Sequence, residues 1–417
     1  MKKTIALLLA CLMILGIFAG CEKAEDDKGS VYYLNFKPEF NDALTELAKT
    51  YTEKTGVEVK IVTAASGDYN NTLTSNIADV TIFNIGNAAA LADWDEYALD
   101  LTDSAIAKEL ATNDFNLYNE AGELKAIGNC YESFGIIVNT KLLKDAGYEL
   151  TDITDFASLK TAVEDIHARA AELGFDAFTT SGLQDSSSWR FSGHLATLPL
   201  HYEGIKSAVP TITGEKLDLF KNVWDLYINN AAADPTTLTG ESDAAAEFKA
   251  GKAVFYQNGT WEYAGLIEAG MTDDQLAMIP IYCGAENDKD AALCSGTENC
   301  WAINAKASEA DQKASIDFLV WLVSDPDASK VYVEQLGAVP FKNCPASSNK
   351  FVADGNAMLA AGKTSVSWAF NYTPNVDAWR ATVVTALASY SAGTAEWSEV
   401  VKAFVEGWEI EYKAVNG

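Results

Sequence analysis

Basic residues, histidines and prolines are all scarce in this chain of 417 residues. Lysine and arginine total 30 against 59 acidic residues, which gives a net charge of −29 and a surface that repels nucleic acids and anionic membranes. The three histidines, His167, His194 and His201, and the absence of any Cys-x-x-Cys argue against a zinc site. Nine prolines accompany 28 glycines, and 48% of the residues are hydrophobic, so the composition is that of a folded protein.

The common sequence signatures of catalysis are also missing. There is no Gly-x-Ser-x-Gly, no Gly-x-Gly-x-x-Gly and no His-Glu-x-x-His. Gly362-Lys363-Thr364 is not a phosphate loop, because the earlier glycine is absent at the required spacing. These absences weaken the nucleophile, nucleotide-binding and zinc-protease classes, and no cofactor is expected. A carboxylate pair for glycoside hydrolysis stays open, because any two of the 59 acids can meet in space.

Long hydrophobic runs are confined to the N-terminus. Two lysines precede an apolar run from Ile5 to Phe18, which is shorter than the roughly 20 residues that a spanning helix needs. We therefore interpret residues 1–20 as a signal peptide. The segment Phe18-Ala19-Gly20-Cys21 resembles a bacterial lipobox, which implies that Cys21 becomes the lipid-modified N-terminus and holds the protein on the outer face of the membrane. The alternative is a plain secretory signal with an incidental cysteine.

The residues after Cys21 are almost entirely polar up to Ser30. We interpret residues 21–30 as the lipidated cysteine and a flexible tether, with the folded body starting near Val31. The body holds an odd number of cysteines, which cannot all pair internally: Cys130, Cys283, Cys294, Cys300 and Cys344. Small buried hydrophobic side chains are the default interpretation. One disulfide among Cys283, Cys294 and Cys300 stays open in an exported protein.

Apolar periodicity alternates between helix and strand along the body. Residues 40–51 carry apolar side chains at helical spacing, and residues 57–61 alternate as in a strand. With the strand predicted at 31–36, they form a strand-helix-strand unit. Further buried strands are predicted at 78–83 and 133–139. The chain is long enough for two or three domains, and the alternation predicts an α/β fold with mostly parallel sheets.

Several segments, in order along the chain, resemble the family 1 extracellular solute-binding proteins, the sugar-capture subunits of ABC importers. These segments are Val31–Phe40 with Tyr51–Val57, Phe134–Leu143 with Ala146-Gly147, Phe248–Phe255 with Asn258–Trp261, and Ala314–Trp321 with Ser324–Pro326 and Gly337–Pro340. The likeness spans about residues 31–410, and its strength lies in the ordered co-occurrence. Val138, where the family often has Tyr, and Phe255, where it has Met, are departures at packing positions.

The resemblance implies a two-lobed periplasmic-binding-protein-like fold of type II. In that fold a ligand cleft lies between two α/β lobes joined by a multi-strand hinge, and the lobes close around the ligand by hinge motion. It places the N-terminal lobe at residues 31–137 plus 285–338 and the C-terminal lobe at residues 138–284 plus 339–417. It also implies a non-enzymatic protein that captures a sugar and delivers it to the permease subunits of an ABC importer.

Tryptophans are the natural platforms for the apolar faces of sugar rings, and the chain has ten. Five lie in helical stretches and are predicted to be core or helix-surface residues: Trp224, Trp321, Trp379, Trp397 and Trp408. Trp94 is ambiguous. Four others stand beside loop residues and are the candidate platforms: Trp189, Trp261, Trp301 and Trp368. The resemblance also implies ligand contact for Trp261, which matches the ligand-contacting tryptophan of the family.

Polar side chains beside the predicted strand ends are the candidate partners of sugar hydroxyls. They are Lys37 and Glu39 after the first strand, Ser66, Asp68 and Tyr69 after the second, Asn84 after the third, Glu132 before the crossing strand, and Arg190 and His194 beside Trp189. The alternative for each is a solvated loop residue, and for His194 a satisfied structural histidine. Carboxylates in such a cleft accept two hydroxyls at once and do not imply catalysis.

Together these patterns predict a lipid-anchored extracellular solute-binding protein, expected to be a monomer without a metal, that captures a neutral mono- or oligosaccharide. Without residues 1–20 the chain has 28 basic and 59 acidic residues, and a net charge of −31 favours a neutral sugar unless Lys37 and Arg190 act locally. A tether with a lipid fits a Gram-positive cell, which has no periplasm to retain a free binder. The alternatives are an exported glycoside-active lipoprotein, a surface adhesion or scaffold lipoprotein, and a binder of peptides or metals.

Overall fold

The computed structural model describes residues 28–64, 68–113, 115–180, 182–183, 188–231, 243–297 and 299–416. The predicted signal peptide, Cys21 and most of the tether lie outside the described residues, as does Ser66. Helices and strands alternate along the described chain and the strands form two separate sheets, which confirms the predicted α/β class. The prediction of mostly parallel sheets was wrong, because both sheets are mixed and strands that come from distant parts of the chain pair antiparallel. No helix within these ranges combines the length and the apolar character needed to cross a bilayer.

The strands of the described residues are mostly short and buried. In chain order they are β1 Ser30–Asn35, β2 Glu58–Thr63, β3 Ile82–Ile85, β4 Leu117–Tyr118, β5 Leu124–Gly128, β6 Glu132–Asn139, β7 Asp176–Phe178, β8 Ala253–Gly259, β9 Leu276–Ile279, β10 Ala291–Gly296, β11 Cys300–Ile303 and β12 Thr364–Ser367.

The α-helices lie between these strands and at the C-terminal end. In chain order they are α1 Asn41–Thr55, α2 Tyr69–Asn76, α3 Ala88–Trp94, α4 Thr140–Asp145, α5 Phe156–Ala168, α6 Ala170–Leu173, α7 Thr197–Glu203, α8 Leu217–Asn229, α9 Ala244–Lys249, α10 Glu262–Glu268, α11 Glu309–Ser324, α12 Pro326–Leu336, α13 Lys350–Ala360, α14 Val376–Ser391 and α15 Trp397–Asn416. A π-helical segment, Arg190–Leu195, precedes α7.

The first helix illustrates how the sequence pattern becomes local structure. Leu44, Leu47 and Tyr51 recur at helical spacing on α1 and are buried against the first sheet. Gly56 then ends the helix with a φ of 75°, a left-handed conformation that glycine adopts without steric penalty. Its amide donates to the carbonyl of Thr52 at 2.8 Å. The helix predicted from the apolar spacing over residues 40–51 is therefore confirmed, as Asn41–Thr55.

The first sheet has the strand order β2-β1-β3-β11-β5-β4. Its three N-terminal strands are parallel, with Tyr33 of β1 opposite Ile61 of β2 and Ile82 of β3. The strand β11 comes much later in the chain and lies antiparallel to β3 on one side and to β5 on the other. Because β1, β2 and β3 are parallel, the loops that follow them meet at one edge of the sheet.

The second sheet has the order β12-β10-β6-β8-β7, and β9 also pairs with β6. The central strand β6 is antiparallel to β8, with Phe134 opposite Gly259, and antiparallel to β10, with Glu132 opposite Gly296. The strand β12 is parallel to β10 and ends beside it. The start of β6 therefore lies at the same edge as the ends of β8, β10 and β12, which brings Glu132, Trp261 and Trp368 together.

Each sheet has its own hydrophobic core, so the described chain forms two lobes. In the first lobe, Phe318, Leu322 and Tyr332 of α11 and α12 are fully buried in a cluster with residues of α1 and the first sheet. In the second lobe, a larger cluster joins α5, α8, α14 and α15 to the second sheet and includes the fully buried Trp224 and Trp379. The two cores are separate clusters that share no residue, so each lobe has its own packing.

Three segments pass from one lobe to the other. They connect β5 to β6, β10 to β11, and α12 to α13. They are also hydrogen-bonded to each other. The backbone amide of Asn129 donates to the carbonyl of Asn299 at 2.9 Å, and the backbone amide of Tyr131 donates to the carbonyl of Ala338 at 3.0 Å. The hinge is therefore a bundle of extended segments rather than a single linker.

The sheets require a correction to the predicted lobe limits. The predicted division after residue 137 falls within β6, and the predicted division after residue 284 assigns β10 to the N-terminal lobe, whereas both strands lie in the second sheet. The apolar runs at these positions predict a buried strand but do not show which sheet the strand joins, because its partners lie far away in the chain. We propose that the lobe boundaries follow the three crossings, so that β6 and β10 belong to the second lobe.

The five cysteines of the described chain are free thiols. Cys130, Cys283, Cys294 and Cys300 are buried, as their interpretation as small apolar side chains predicts, and the disulfide left open among the last three is not formed. Cys344 is half-buried. Burial raises the pKa of the Cys130 and Cys344 thiols to about 12, so both stay protonated at neutral pH.

Candidate functional site

A cleft of about 560 Å³ opens between the two lobes, where the strand ends described above meet. The first lobe contributes Phe36, Lys37 and Glu39 from the segment after β1, and Glu132 stands at the hinge as the first residue of β6. The second lobe contributes Trp189, His194, Trp261, Trp368, Phe370, Asp377 and Arg380. The volume lies within the range of small-molecule binding sites, about 300 to 1,000 Å³.

Four rings of the second lobe line the cleft, and we call them the aromatic face: Trp189, His194, Trp261 and Trp368. The His194 ring stacks on the buried Phe134, with centroids 3.7 Å apart and planes at 9°, and Phe134 also stacks with Trp368 at 5.3 Å. Trp189 and Trp261 lie 4.8 and 5.6 Å from His194. Aromatic surfaces of this kind match the apolar C–H faces of a sugar ring.

Two glycines make room for two of these indoles. A Cβ atom on Gly259 would lie 2.2 Å from the ring of Trp261, and a Cβ atom on Gly296 would lie 2.6 Å from the ring of Trp368. The indole N–H of Trp368 also donates to the carbonyl of Cys294 at 2.9 Å. Close packing therefore sets the positions of these two rings. In the sequence, Gly259 stands two residues before Trp261, whereas Gly296 lies far from Trp368.

Besides Phe36, the first lobe contributes charged side chains to the cleft. The Lys37 ammonium lies 2.7 Å from a Glu132 carboxylate oxygen and 3.5 Å from one of Glu39. The Lys37 and Glu132 side chains are 10% and 13% exposed. Burial alone would lower the pKa of Lys37, but attraction to Glu132 and Glu39 outweighs it and raises the pKa above its ordinary value. The ammonium therefore stays charged and connects the first lobe to the start of β6.

His194 is a neutral histidine in the wall of the cleft. Its Nδ1 lies 2.9 Å from Nε2 of the Gln257 side-chain amide, which donates to it. Burial lowers the pKa of His194 well below its ordinary value, and the guanidinium groups of Arg190 and Arg380 lower it further. His194 thus belongs to the cleft and is also hydrogen-bonded within the protein, so the two interpretations offered by the sequence both apply to it.

Four residues in the lining of the cleft were not among the sequence candidates: Phe36, Phe370, Asp377 and Arg380. The Arg380 guanidinium lies 5.4 Å from the Phe370 ring and 3.8 Å from the Asp377 carboxylate. The preceding residue, Trp379, was predicted to be a core or helix-surface residue and is fully buried. The three-residue spacing in the sequence places Asp377 and Arg380 on one side of α14. The sequence does not show that this side of the helix faces the cleft.

The prediction that Trp301 is a platform for a sugar ring was wrong. It lies on β11 in the core of the first lobe and is fully buried. Its indole N–H donates to the Tyr33 hydroxyl at 2.7 Å, and its ring stacks with Phe341 at 5.7 Å. The polar residues before it suggested a loop, but β11 already begins at Cys300, so Trp301 is part of the strand and its side chain packs into the core.

Several predicted polar partners also do not line the cleft. Arg190 is buried behind it, where Nη1 donates to the Gln257 carbonyl at 3.3 Å. The Tyr69 hydroxyl donates to the carbonyl of Leu34 at 2.9 Å and accepts from the backbone amide of Asn84 at 2.6 Å. Both side chains are buried. Asp68 is exposed outside the lining, and Ser66 lies outside the described residues.

The remaining tryptophans are placed as their helical context predicts. Trp224, Trp379 and Trp408 are fully buried, and Trp321 and Trp397 are partly exposed on helices. The ambiguous Trp94 packs at the end of α3, with its ring 5.8 Å from Phe83 and 5.7 Å from Tyr97. None of these six rings lines the cleft within the described part of the chain.

A family model described as bacterial extracellular solute-binding protein matches residues 46–360 of the chain. Comparison with curated protein sequences gave no match. The matched range takes in the hinge strand β6, Trp189, Trp261 and all strands from β2 to β11.

Solved structures share the two-lobed fold at low sequence identity. A family 1 extracellular solute-binding protein from Bifidobacterium longum subsp. infantis is 16% identical, with a TM-score of 0.65 and coverage of 92% of this chain and 100% of that chain. The solute-binding protein RafE in complex with raffinose is 15% identical, with a TM-score of 0.70 and coverage of 91% and 99%. A chitin oligosaccharide binding protein is 14% identical, with a TM-score of 0.69 and coverage of 93% and 100%.

Proposed function

The chain belongs to the bacterial extracellular solute-binding proteins, and from this premise we propose that it captures a carbohydrate in the cleft between its lobes. The observation that carries the proposal is the aromatic face, with Lys37 and Glu39 of the first lobe on the opposite side of the cleft and Glu132 at the start of β6 beside the hinge. A sugar has apolar C–H faces and a rim of hydroxyls, and these two sides of the cleft complement them. The likeness to RafE bound to raffinose and to a chitin oligosaccharide binding protein supports the same class of ligand.

We propose that this carbohydrate is a neutral oligosaccharide. The described lining of the cleft holds two cations, Lys37 and Arg380, against three carboxylates, Glu39, Glu132 and Asp377. The site therefore has no excess positive charge with which to retain an anionic sugar. The net charge of −29 of the whole chain acts in the same direction.

Capture and release, rather than chemistry, is the proposed mechanism. Binding in the cleft favours closure of the lobes about the hinge segments, and the closed form delivers the sugar to the permease subunits of an ABC importer. The side chains that could act as a carboxylate pair are engaged otherwise, because Glu132 and Glu39 both lie within 4 Å of the Lys37 ammonium. We propose that the protein is not an enzyme and acts as a monomer.

The proposed location is the outer face of the cell membrane. Lipid modification of Cys21 would anchor the folded body through the polar residues that follow it, and a Gram-positive cell is the setting in which such an anchor retains the protein. Mass spectrometry of the N-terminal peptide from membrane-extracted protein tests this part, because a diacylglyceryl group on Cys21 adds a defined mass. An unmodified Cys21 in that peptide would contradict the anchor.

A thermal-shift screen of the mature protein against neutral sugars tests the proposed ligand class. The screen uses mono- and oligosaccharides of different linkage, including raffinose and chitin oligosaccharides. A sugar at 100 times its dissociation constant adds about 2.7 kcal/mol to the free energy of unfolding, which raises the melting temperature by several degrees. A selective shift supports the proposal. Cooperative melting with no shift for any sugar contradicts it.

The variant Trp261→Ala connects that shift to the aromatic face. We expect the variant to lose the ligand-dependent shift, because the ring is one of the surfaces on which the sugar packs. The matched control is Trp321→Ala, which removes another partly buried indole, one that packs on Tyr51 at 5.2 Å in the first lobe and away from the cleft. The control should keep the shift, and equal loss in both variants would count against the aromatic face.

A further inference from the structure

Arg380 differs from the other two arginines of the chain in how its donors are used. Arg169 donates to Asp165 and to the carbonyl of Ala146, and Arg190 donates to the carbonyl of Gln257. Arg380 makes no hydrogen bond to any residue within the described ranges, although its Nε atom is buried. A buried N–H donor without an acceptor is unfavourable, so an unpaired guanidinium in a cleft needs a reason.

The Arg380 side chain is held in place by packing rather than by hydrogen bonds. Its guanidinium lies over the Phe370 ring at 5.4 Å. On another side it packs against Gly193, where a Cβ atom would come within 3.2 Å of Nη2. The Asp377 carboxylate is 3.8 Å away, too far for a hydrogen bond, and its side chain is 91% exposed, so water screens this ion pair. The guanidinium is therefore positioned by packing, and the N–H donors of its two Nη atoms have no acceptor among the described residues.

Resting on the proposed function, we infer that Arg380 is the specificity-determining residue of the cleft and donates to two oxygens on adjacent carbons of the bound sugar. A guanidinium is planar and presents parallel N–H donors, which fit two acceptors that lie side by side. Phe370 and Trp368, whose rings are 5.7 Å apart, stand beside it as the surface on which the same sugar ring packs. An epimer at either carbon moves one oxygen away and loses one of the two bonds.

Two kinds of ligand offer such a pair of oxygens. One is the vicinal diol of a neutral sugar, and the other is the carboxylate of a uronic acid. The three carboxylates in the lining, Glu39, Glu132 and Asp377, favour the diol, because they would repel an acidic ring in the same cleft. The diol is therefore the assigned partner, and the carboxylate is an outcome that the experiment must distinguish.

Isothermal titration of the mature protein with a defined panel tests this inference. The panel is raffinose, N,N′-diacetylchitobiose, the C4 epimers cellobiose and lactose, and digalacturonate. The variants are Arg380→Gln and Arg380→Lys, with Lys402→Gln as the control, because Lys402 is an exposed cation on α15 outside the cleft. The melting temperature of each unliganded variant is measured alongside, since a residue with a structural role would lower it.

We expect the neutral sugar that binds the wild type most tightly to bind Arg380→Gln at least tenfold more weakly, and the differences among the neutral sugars to shrink. The lysine variant should recover only part of the loss, because it has no planar fork. The unliganded melting temperature should not change, and Lys402→Gln should bind as the wild type does.

Several results would overturn the inference. Equal binding by wild type and Arg380→Gln would remove Arg380 from the site and leave the proposed function intact. A lower melting temperature of unliganded Arg380→Gln would assign the residue a structural role. Tightest binding of digalacturonate, dependent on Arg380, would replace the diol by a carboxylate. If the wild type binds no sugar at all, the proposed function fails and this inference fails with it.

Discussion

The two sides of the cleft are built by different physical means. On the second lobe, His194 is stacked on Phe134, and the rings of Trp261 and Trp368 rest against Gly259 and Gly296. On the first lobe, a nearly buried ammonium is shared by the carboxylates of Glu132 and Glu39. Close packing fixes a surface in one shape, whereas an ion pair depends on both partners being present. Packing thus fixes the aromatic face, whereas the ion pair joins Lys37 of the first lobe to Glu132 beside the hinge.

Removal of the Lys37 charge should have the largest effect. Lys37→Met leaves the Glu132 carboxylate buried without its closest cation, which we expect to lower the free energy of unfolding by about 3 kcal/mol. Urea unfolding monitored by circular dichroism measures the loss.

Lys54→Met is the matched control for that change. Lys54 also lies close to a carboxylate, that of Asp325 at 3.1 Å, but its side chain is 50% exposed. An exposed pair contributes about 1 kcal/mol or less, so this variant should remain close to the wild type. Similar losses in both variants would show that burial does not set the strength of the Lys37 pair.

A side chain added at Gly259 should disrupt the aromatic face and weaken sugar binding. In Gly259→Ala the added methyl group would lie 2.2 Å from the Trp261 ring, so the indole must leave its place. We expect sugar binding to weaken about 100-fold, or about 2.7 kcal/mol, in a titration with the best ligand of the screen. The control is Gly265→Ala on α10, where the nearest atom is the flexible Lys249 ammonium at 3.4 Å. Unchanged binding by Gly259→Ala would mean that the Trp261 ring is not positioned by this packing.

The smallest effect concerns pH and comes from His194. Its folded-state pKa is lowered, mainly by burial, so below pH 6.5 the unfolded chain takes up a proton that the folded chain does not. The free energy of unfolding should therefore fall by about 1.4 kcal/mol per pH unit below about pH 6, and this dependence should vanish above the unfolded value. Wild type and His194→Gln, unfolded in urea between pH 7.5 and 5, give the difference. If the free energy of unfolding changes equally with pH in both proteins, the folded-state pKa of His194 is not lowered.

Local patterns predicted the elements better than they predicted the site. The helical spacing of Leu44, Leu47 and Tyr51 is contained within one segment, and the structure has that helix. The two tryptophans that follow strand ends, Trp261 and Trp368, line the cleft because the antiparallel pairing of β6, β8 and β10 brings those ends to one edge. Trp301 has equally polar neighbours in sequence, yet its strand places it in a core.

The sequence by itself determined the α/β class, the order of segments typical of the solute-binding family, and the helix α1 with the strands on either side of it, because these depend mainly on residues near each other in the chain. Tertiary structure alone decided that Arg380 and Phe370 enter the cleft while Arg190 and Trp301 do not. It also decided that β6 and β10 join the second sheet. The physical reason is that the surroundings of a side chain are set by its packing partners. For a cleft between lobes, those partners come from distant parts of the chain.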